Sequence, residues 1–485
     1  VPPLRPPGTR VRVQLPPRSA ILATETDVLV VGGGPAGLGA ALGAAEAGAR
    51  VVLAERYGFL GGNATAALVM PLTSFHAHQN RTPDIERTAL FPTDQGPGEP
   101  VVAGAFRRLL QKLVGSGGAL RPGERTGFTV PFDPETLKLV ALDMLDEAGV
   151  EYLLHSFASG VLGEPAISGV VFEGKSGPVV VRARTIVDCT GDGDIAALAG
   201  APFEVGRDGD GLVQPMTLMF RMVELEREAF AAYARAHPDQ WRGVHGLWDL
   251  IARATAAGEL DLPREDVLFF GTPHEREVSV NSTRVTGMLG TSIWDLTRAE
   301  WEGRRQFRQL VAFFRKYVPG FERAYAVQTG VNIGVRETRR ILGGYSLTAE
   351  DVLTARKFED VIARGAYPID IHNPAGKGTI LKRVPAGDAY DIPLRTLIPQ
   401  GIDGLVMAGR CISGTHEAHS SYRVMPISMA TGQAAGVCAA LASRTGLAPR
   451  NVPAGAVQHE LLRQQADLGG WPLTRPHERR RAATP

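Results

Sequence analysis

The stretch Asp27 to Arg56, DVLVVGGGPAGLGAALGAAEAGARVVLAER, restricts the possible folds more than any other part of the chain. Val28 to Val31 is an apolar run that reads as a strand buried in a parallel sheet. Gly32, Gly34 and Gly37 follow in G-x-G-x-x-G spacing, with Pro35 and Ala36 inside the pattern, and small residues continue to Gly48 at positions compatible with a helix. A second apolar run, Val51 to Ala54, ends at Glu55 and Arg56, roughly 20 residues after the first glycine. Gly32 allows a tight turn, Gly34 lets a pyrophosphate approach the backbone, and Gly37 lets helix and strand pack closely. The helix start offers free N–H groups and the positive end of its dipole to the phosphates. Glu55 can accept hydrogen bonds from both ribose hydroxyls, and its charge disfavours a 2′-phosphate. A G-x-G-x-x-G alone is weak; with both strands, the helix and the terminal acid it reads as a dinucleotide site.

The next residues, RYGFLGGNATAALV, separate two classes of dinucleotide. Gly61, Gly62, Asn63, Ala64 and Thr65 form a second glycine-bearing loop that a plain nicotinamide dehydrogenase does not need. A flavin needs one, because its ribityl chain and ring pass close to backbone beyond the pyrophosphate; the rival reading is an ordinary loop. A helical stretch from Pro134 to Ala148 leads into GVEYLLHSFASGVL, read as a strand that presents backbone near Ala158 to adenine. In TIVDCTGDGDIAALAG an apolar strand ends at Thr190, Gly191 and Asp192, and small residues from Asp194 open a helix back toward the cofactor side. FAD is the expected cofactor.

Size and composition set the outer limits. A chain of 485 residues predicts two or three intertwined domains. The 57 glycines and 34 prolines are dispersed, as tight turns would have them. A net charge of +1 supplies no basic field for nucleic acid or an anionic membrane, so the expected partner is a small-molecule substrate. Oligomeric state is not readable. Cys189, Cys411 and Cys438 form no C-x-x-C pair, so no zinc or iron–sulfur site is expected, and their sparseness suits a reducing, cytoplasmic compartment. No run suggests a membrane span of ~18 apolar residues. The proline-rich start, VPPLRPPGTRVRVQLPPRSA, reads as an irregular arm.

The motifs VVGGGPAG, GFLGGNAT, IVDCTGDGD, NSTRVTG, IGVRETRRILGGYSLTAEDV, GAYPIDIH and GRCISGTHEAHSSYRVMPISMATGQAAG together resemble the FAD-dependent oxidoreductase family of xanthan-lyase-associated type, among the flavoproteins with two dinucleotide-binding domains. The resemblance runs from about Thr26 to Leu462. It implies an α/β fold: a Rossmann-like FAD-binding domain in discontinuous segments, with an inserted α+β substrate or cap domain. The expected divisions are an arm over 1–21, FAD-binding segments over 22–200 and 331–462, a cap over 201–330 and a tail over 463–485. The residues agree in character. Amphipathic stretches at Glu224 to Ala236 and Ala299 to Tyr317, the strand-like EREVSVNSTRV, and Trp241, Trp248, Trp294 and Trp301 all fall in the cap region. Those tryptophans are either a packed core or an aromatic substrate face.

Chemistry is expected in the later segments. Arg336, Arg339 and Arg340 are either interdomain ion-pair partners or a clamp on an anionic or polyhydroxylated substrate. Asp370 and His372 share one face of a predicted strand, which suits either a structural pair or a catalytic one. Thr348 to Asp351 has capping-box spacing. Leu405 to Gly409 reads as another sheet strand, and Met425 to Ala442 as a helix whose first turn accommodates Pro426. A helix starting at Met425, Pro426 and Ile427 would aim its positive end at the flavin and favour the reduced ring. Many related flavoproteins carry Gly-Asp after the preceding strand. Here Gly409 is followed by Arg410, which leaves the usual ribityl contact open.

The polar loop between strand and helix makes His416, His419 and Arg423 the leading catalytic candidates, the histidines for a proton and the arginine for substrate charge. Metal ligation by His416, Glu417 and His419 is the rival, with no third distant ligand evident. Cys411 as a redox partner is disfavoured without a nearby second cysteine. Covalent flavin attachment at His76 or Cys411 is a minor option. The expected activity is hydride transfer between a small polar substrate and flavin N5. The alternatives are an oxidase or monooxygenase that uses oxygen directly, and an FAD-dependent RNA-modifying protein.

Overall fold

A computed structural model describes residues 3–4, 6, 13–79, 90–91 and 98–470. Its largest sheet begins with β1 (Ile21–Val31), followed by α1 (Pro35–Glu46) and β2 (Val51–Ala54). Helices α2 (Ala105–Gly115) and α3 (Pro134–Glu147) come next, then β3 (Glu151–Leu153), β4 (Phe157–Leu162), β5 (Gly169–Gly174) and β6 (Gly177–Asp188). The strand order is β3-β2-β1-β6-β5-β4. β3, β2, β1 and β6 run parallel, and β5 and β4 add antiparallel strands at one side. Val28 to Val31 are at most 3% exposed, as the continuous apolar run requires of a strand covered on both faces. GVEYLLHSFASGVL, expected as one strand, is two, β3 and β4, broken at His155, whose φ is +57°.

A short helix, α4 (Asp194–Leu198), and β7 (Phe203–Val205) lead out of this layer. The next stretch holds β8 (Phe220–Val223), α5 (Arg227–Ala236), β9 (His245–Gly246), α6 (Trp248–Ala256), β10 (Val267–Gly271), β11 (Glu277–Val280), α7 (Ile293–Tyr317) and β12 (Tyr325–Thr329). Its strands form a separate antiparallel sheet in the order β12-β8-β11-β10-β9. Its core is aromatic: Phe230, Trp241, Phe269, Phe314 and Phe321 pack edge to face, tilted or stacked. Trp241 is fully buried there, Trp248 lines a polar cavity described below, and Trp301 is exposed. The tryptophans therefore form no single face.

The chain returns through β13 (Arg339–Ile341), which pairs with β7. Helix α8 (Ala349–Leu353) starts with a complete Thr348–Asp351 capping box. Then come β14 (Val361–Gly365), β15 (Ile369–His372), β16 (Thr379–Lys382), β17 (Tyr390–Pro393) and β18 (Leu405–Met407). β18 joins the main sheet beside β6. Helices α9 (His416–Tyr422), α10 (Met425–Thr445) and α11 (Ala454–Arg463) complete the described fold, and the expected tail lies outside the described residues from 471 onward.

The small residues of α1 and α10 are explained by how these helices meet. A Cβ on Gly432 or Gly436 would overlap the carbonyl oxygen of Ala36 or Ala40, and one on Gly39 or Gly43 would overlap that of Met429 or Gln433. The pairing rises in number on both sides, so the helices run parallel and both N-termini face the same end of the sheet. Backbone-to-backbone approach excludes side chains larger than hydrogen. Of the described helices α10 alone is long and apolar enough to cross a membrane, and it is buried nearly throughout as the core helix of this packing.

Candidate cofactor cleft and active site

The N-termini of α1 and α10 open onto one cleft. Their N-caps, Gly34 and Val424, supply no side-chain acceptor, so first-turn N–H groups are left for a ligand. Gly32, Gly34, Pro35 and Ala36 line the cleft on the α1 side, and Gly409, Arg410, Met425 and Ser428 on the α10 side. Gly62 and Asn63 form part of its wall; a Cβ on Gly62 would sit 2.8 Å from Gly34 Cα, so a glycine is needed at 62 where the two loops touch. Ala158, Thr190, Gly191 and Asp194 close the cleft from the strand ends.

Glu55 lines the cleft and is only 5% exposed. Its carboxylate accepts from Gly33 N (2.6 Å) and Tyr57 N (2.9 Å), leaving lone pairs for hydroxyl donors, and burial raises its pKa. Arg56 extends over the Tyr57 ring, 4.8 Å from its centroid. Thr190 is held by the fully buried Asp188, which accepts from its N–H and its hydroxyl. Burial and the neighbouring Asp192 and Asp188 carboxylates push Asp194 up to about 6. Arg410 donates to Val335 O (2.7 Å) and Asp192 Oδ1 (3.0 Å). It thus stands on the cleft wall as a fixed cation where Gly-Asp proteins carry an acid.

The loop residues divide by role. Gly61, Ala64 and Thr65, expected at the cofactor, do not line the cleft. Gly61 sits at φ +107° and turns the chain, Ala64 is buried, and the Thr65 hydroxyl donates to Leu60 O (2.7 Å). They shape the loop that carries Gly62 and Asn63. Ile427 is likewise fully buried and outside the lining, and Pro426 faces the neighbouring cavity instead. The cradle, with its glycine floor, two free helix starts, buried acid and flanking arginines, fits an FAD.

A second cavity of ≈ 470 Å³ adjoins the cleft and shares Asn63, Arg410, Arg423 and Met425 with it. This size suits a small organic molecule. Arg336 enters it from the loop before β13, anchored on Pro215 O (2.6 Å) and Thr217 Oγ1 (2.5 Å). Burial and the Arg423 charge lower its pKa to about 9. Asp370 accepts from the Tyr367 hydroxyl (2.9 Å) and lies 3.6 Å from His372 Nε2 and 3.8 Å from Arg423. Burial, then the charges of Arg336 and Arg423, hold the His372 imidazole well below its usual pKa, so it is neutral at neutral pH. The Nε of Arg423 and the Oδ1 of Asn281 are buried without a partner.

His416 and His419 line neither cavity, which corrects the expectation that they work beside the ring. His416 Nδ1 bonds Glu337 Oε1 (2.8 Å), which also receives Arg340 (2.6 Å); the other Glu337 oxygen accepts from Gln214 N. All of these side chains are nearly inaccessible. Arg340 also donates to Gly414 O and Gly206 O, so the network joins three chain segments. His419 is 1% exposed, and burial depresses its pKa. The helix α9 turns both rings inward while Glu417 points to solvent, which separates the three residues of the rival metal site. Among the described residues no group of three or more His, Cys, Asp or Glu is placed to hold a metal. His76 and Cys411 line neither cavity.

Sequence reading missed Tyr367, Thr217 and Asn281 as cavity residues. Tyr367 is part of the GAYPIDIH motif and was within reach. Asn281, directly after β11, opens the NSTRVTG motif and was also within reach; Thr217, just before β8, is marked by no local spacing.

Urocanate reductase of Eggerthella lenta is 34% identical over 114 residues, a match that covers 21% of this chain and only 19% of that protein. Solved structures with a similar chain course include a geranylgeranyl bacteriochlorophyll reductase-like protein of Thermoplasma acidophilum (14% identity, 92% of this chain and 84% of that one, TM-score 0.43). Another is the p-nitrophenol 4-monooxygenase of Pseudomonas putida (12% identity, 94% and 92%, TM-score 0.44). The FAD dependent oxidoreductase family profile matches residues 27–461, nearly the whole described fold. The chain therefore belongs to the FAD-dependent oxidoreductase family, as an FAD-binding enzyme with a discontinuous Rossmann-like domain and an inserted cap.

Proposed function

We propose that the enzyme acts on a small anionic organic substrate bound in the cavity beside the cofactor cleft. The observation that carries this reading is the charge balance at the junction. Arg336, Arg410 and Arg423 face the cavity, and among the described residues Asp370 is its only lining carboxylate. A carboxylate or similar group on the substrate would complete that balance, and Arg423 Nε has a donor to spare. FAD, when bound, supplies two-electron chemistry, as hydride transfer to or from a substrate carbon. Proton handling passes from His416 and His419 to Tyr367, whose hydroxyl already donates to Asp370. His372, kept neutral by its surroundings, orients Asp370 and offers a ring nitrogen to the substrate.

The name urocanate reductase describes reduction of an unsaturated carboxylate by that relative, and an activated alkene acid is one member of the class proposed here. The narrower xanthan-lyase-associated grouping rests on the motifs alone and adds no substrate. Anaerobic bleaching of the holoenzyme with a panel of hydroxy acids, amino acids, sugars and amines tests the reading, with NADH and NADPH as controls. Bleaching by acids, and reoxidation of the bleached enzyme by unsaturated acids, supports it; a response confined to neutral sugars or amines overturns the anionic assignment.

Direct use of oxygen is the second reading, and it also has an observation in its favour. Fixed positive charge on Arg410 and Arg423 beside the cleft would stabilise an anionic reduced oxygen species. The name of the p-nitrophenol 4-monooxygenase above describes such chemistry for that protein. Reoxidation of the reduced enzyme by air within about a second would favour it; slow reoxidation would favour a dehydrogenase or reductase.

A further inference from the structure

A third cavity, of ≈ 300 Å³, lies beyond the second one and shares Thr379 with it. It is polar and is bounded by His245, Trp248, Arg264, Arg284 and Lys377, with Glu265 and Asp266. Its cations are not equally compensated. Arg264 pairs with Asp266 (3.0 Å), which also fixes His245 (2.9 Å). Lys377 reaches Glu265 only at 3.9 Å, with both side chains more than half exposed. Arg284 is 6% exposed and has no carboxylate within ion-pair distance among the described residues. Its guanidinium donates to two backbone carbonyls of the loop between β15 and β16, Gly376 O (2.9 Å) and Gly378 O (3.4 Å).

Burial and Arg264 oppose the Arg284 charge, while Asp266, Asp370 and Glu265 favour it without pairing with it. A buried cation with no direct ion pair is costly, and an acid group on a ligand would supply one. Arg284 is also held in place: its N–H donates to Gln306 Oε1 on α7, and Gln306 Nε2 returns a bond to its carbonyl. The flanking wall is aromatic. Trp248 packs edge to face with His245 and carries Arg242 over its ring at 5.0 Å, a surface suited to an apolar or planar segment. Across the second and third cavities six arginine and lysine side chains face three carboxylates. A single acid group at Arg336 and Arg423 leaves the far end still cationic.

The geometry points to a distal anion subsite: the third cavity receives the second acidic group of an elongated substrate, at Arg284 and Lys377, while the first acidic group sits at Arg336 and Arg423. This rests on the anionic-substrate reading above. The substrate class is thereby narrowed to molecules with an anionic group at each end, joined by a segment that passes Thr379 and lies along Trp248.

The test is ligand binding to oxidised holoenzyme, read from the shift of the flavin visible spectrum. The probes are straight-chain α,ω-dicarboxylates of increasing length, each beside the monocarboxylate of equal length. One dicarboxylate length should bind about tenfold or more tighter than its matched monocarboxylate, the increment of one charge-assisted hydrogen-bonded contact. Arg284→Gln should remove that advantage and leave monocarboxylate affinity within about twofold. Lys377→Gln, at an exposed loop position, should reduce it in part, and it keeps the test valid if Arg284→Gln fails to fold. Equal binding of dicarboxylates and monocarboxylates at every length overturns the subsite. So does equal loss of both ligand types in the two variants. Inorganic phosphate that binds at Arg284 without competing with the best dicarboxylate also overturns it, since the cavity would then serve an independent ligand. Arg423→Gln separates the two proposals: if it leaves monocarboxylate binding intact, the anionic reading of the second cavity fails first.

Discussion

The cofactor cleft and the cavity beside it touch, yet they are built by different means. The cleft is made largely of backbone: Gly32 and Gly62 let chain segments approach closely, and α1 and α10 present free N–H groups. The cavity is made of side chains, with Arg336, Asp370, His372 and Arg423 brought from separate segments to one charged wall. A site built from backbone depends on residues that are small, and spacing reveals those. A site built from side chains depends on which chain segments become neighbours.

That contrast can be broken at several points, beginning where the effect is largest. Arg340→Met strands the buried Glu337 charge and should cost about 3–5 kcal/mol of stability, measured by denaturant unfolding. The surviving folded fraction should reduce its flavin at a near-normal rate, because the His416–Glu337–Arg340 network supports the site and does not face it. A normal stability with a collapsed rate would return His416 to the chemistry. Gly432→Ala places a methyl group against the Ala36 carbonyl and should cost about 1–3 kcal/mol with weakened FAD retention. Full flavin content and unchanged stability would show that the parallel helices are not what holds the cleft.

Arg423→Ala acts on the other side of the comparison. It should slow substrate-driven flavin reduction about 10–100-fold while FAD stays bound, equivalent to about 1.4–2.8 kcal/mol of transition-state binding. Loss of FAD instead would place Arg423 with the cleft. The smallest effect concerns pH. The His372 pKa is depressed in the folded protein, so the unfolded chain binds the proton more readily below its ordinary value of about 6.5. Stability should therefore fall as pH drops below about 6.5, by up to ~1.4 kcal/mol per pH unit from this group. His372→Asn should flatten that slope relative to the parent enzyme. His76, held at about 4 by burial, adds to the parent slope and remains in the variant. An unchanged slope would mean that His372 does not carry the burden of the cationic wall.

The legible parts of the sequence were those set by local geometry. Val28 to Val31, the glycines at 32, 34 and 37, and Val51 to Ala54 all occupy the elements expected of them. Pro426 sits in the first turn of α10, and Thr348 completes its capping box with Asp351. The histidines were misread for a definite reason. Their place in the chain, between a strand and a helix starting at the cofactor, marks a loop near the ring. It does not say that α9 forms there and turns both rings into the interior.

Taken alone, the sequence determined that a dinucleotide-binding α/β layer forms, because its glycine spacing permits the tight turn and the close helix–strand contact. That α1 and α10 pack backbone to backbone was decided by the tertiary structure. The tertiary structure decided which polar side chains face a ligand. Arg336 and Arg340 lie four residues apart, with similar chemistry. One enters the cavity, and the other is locked on Glu337, because the strand β13 begins between them and fixes their directions. Charge lining a cavity comes from segments tens of residues apart, and only the folded chain sums it.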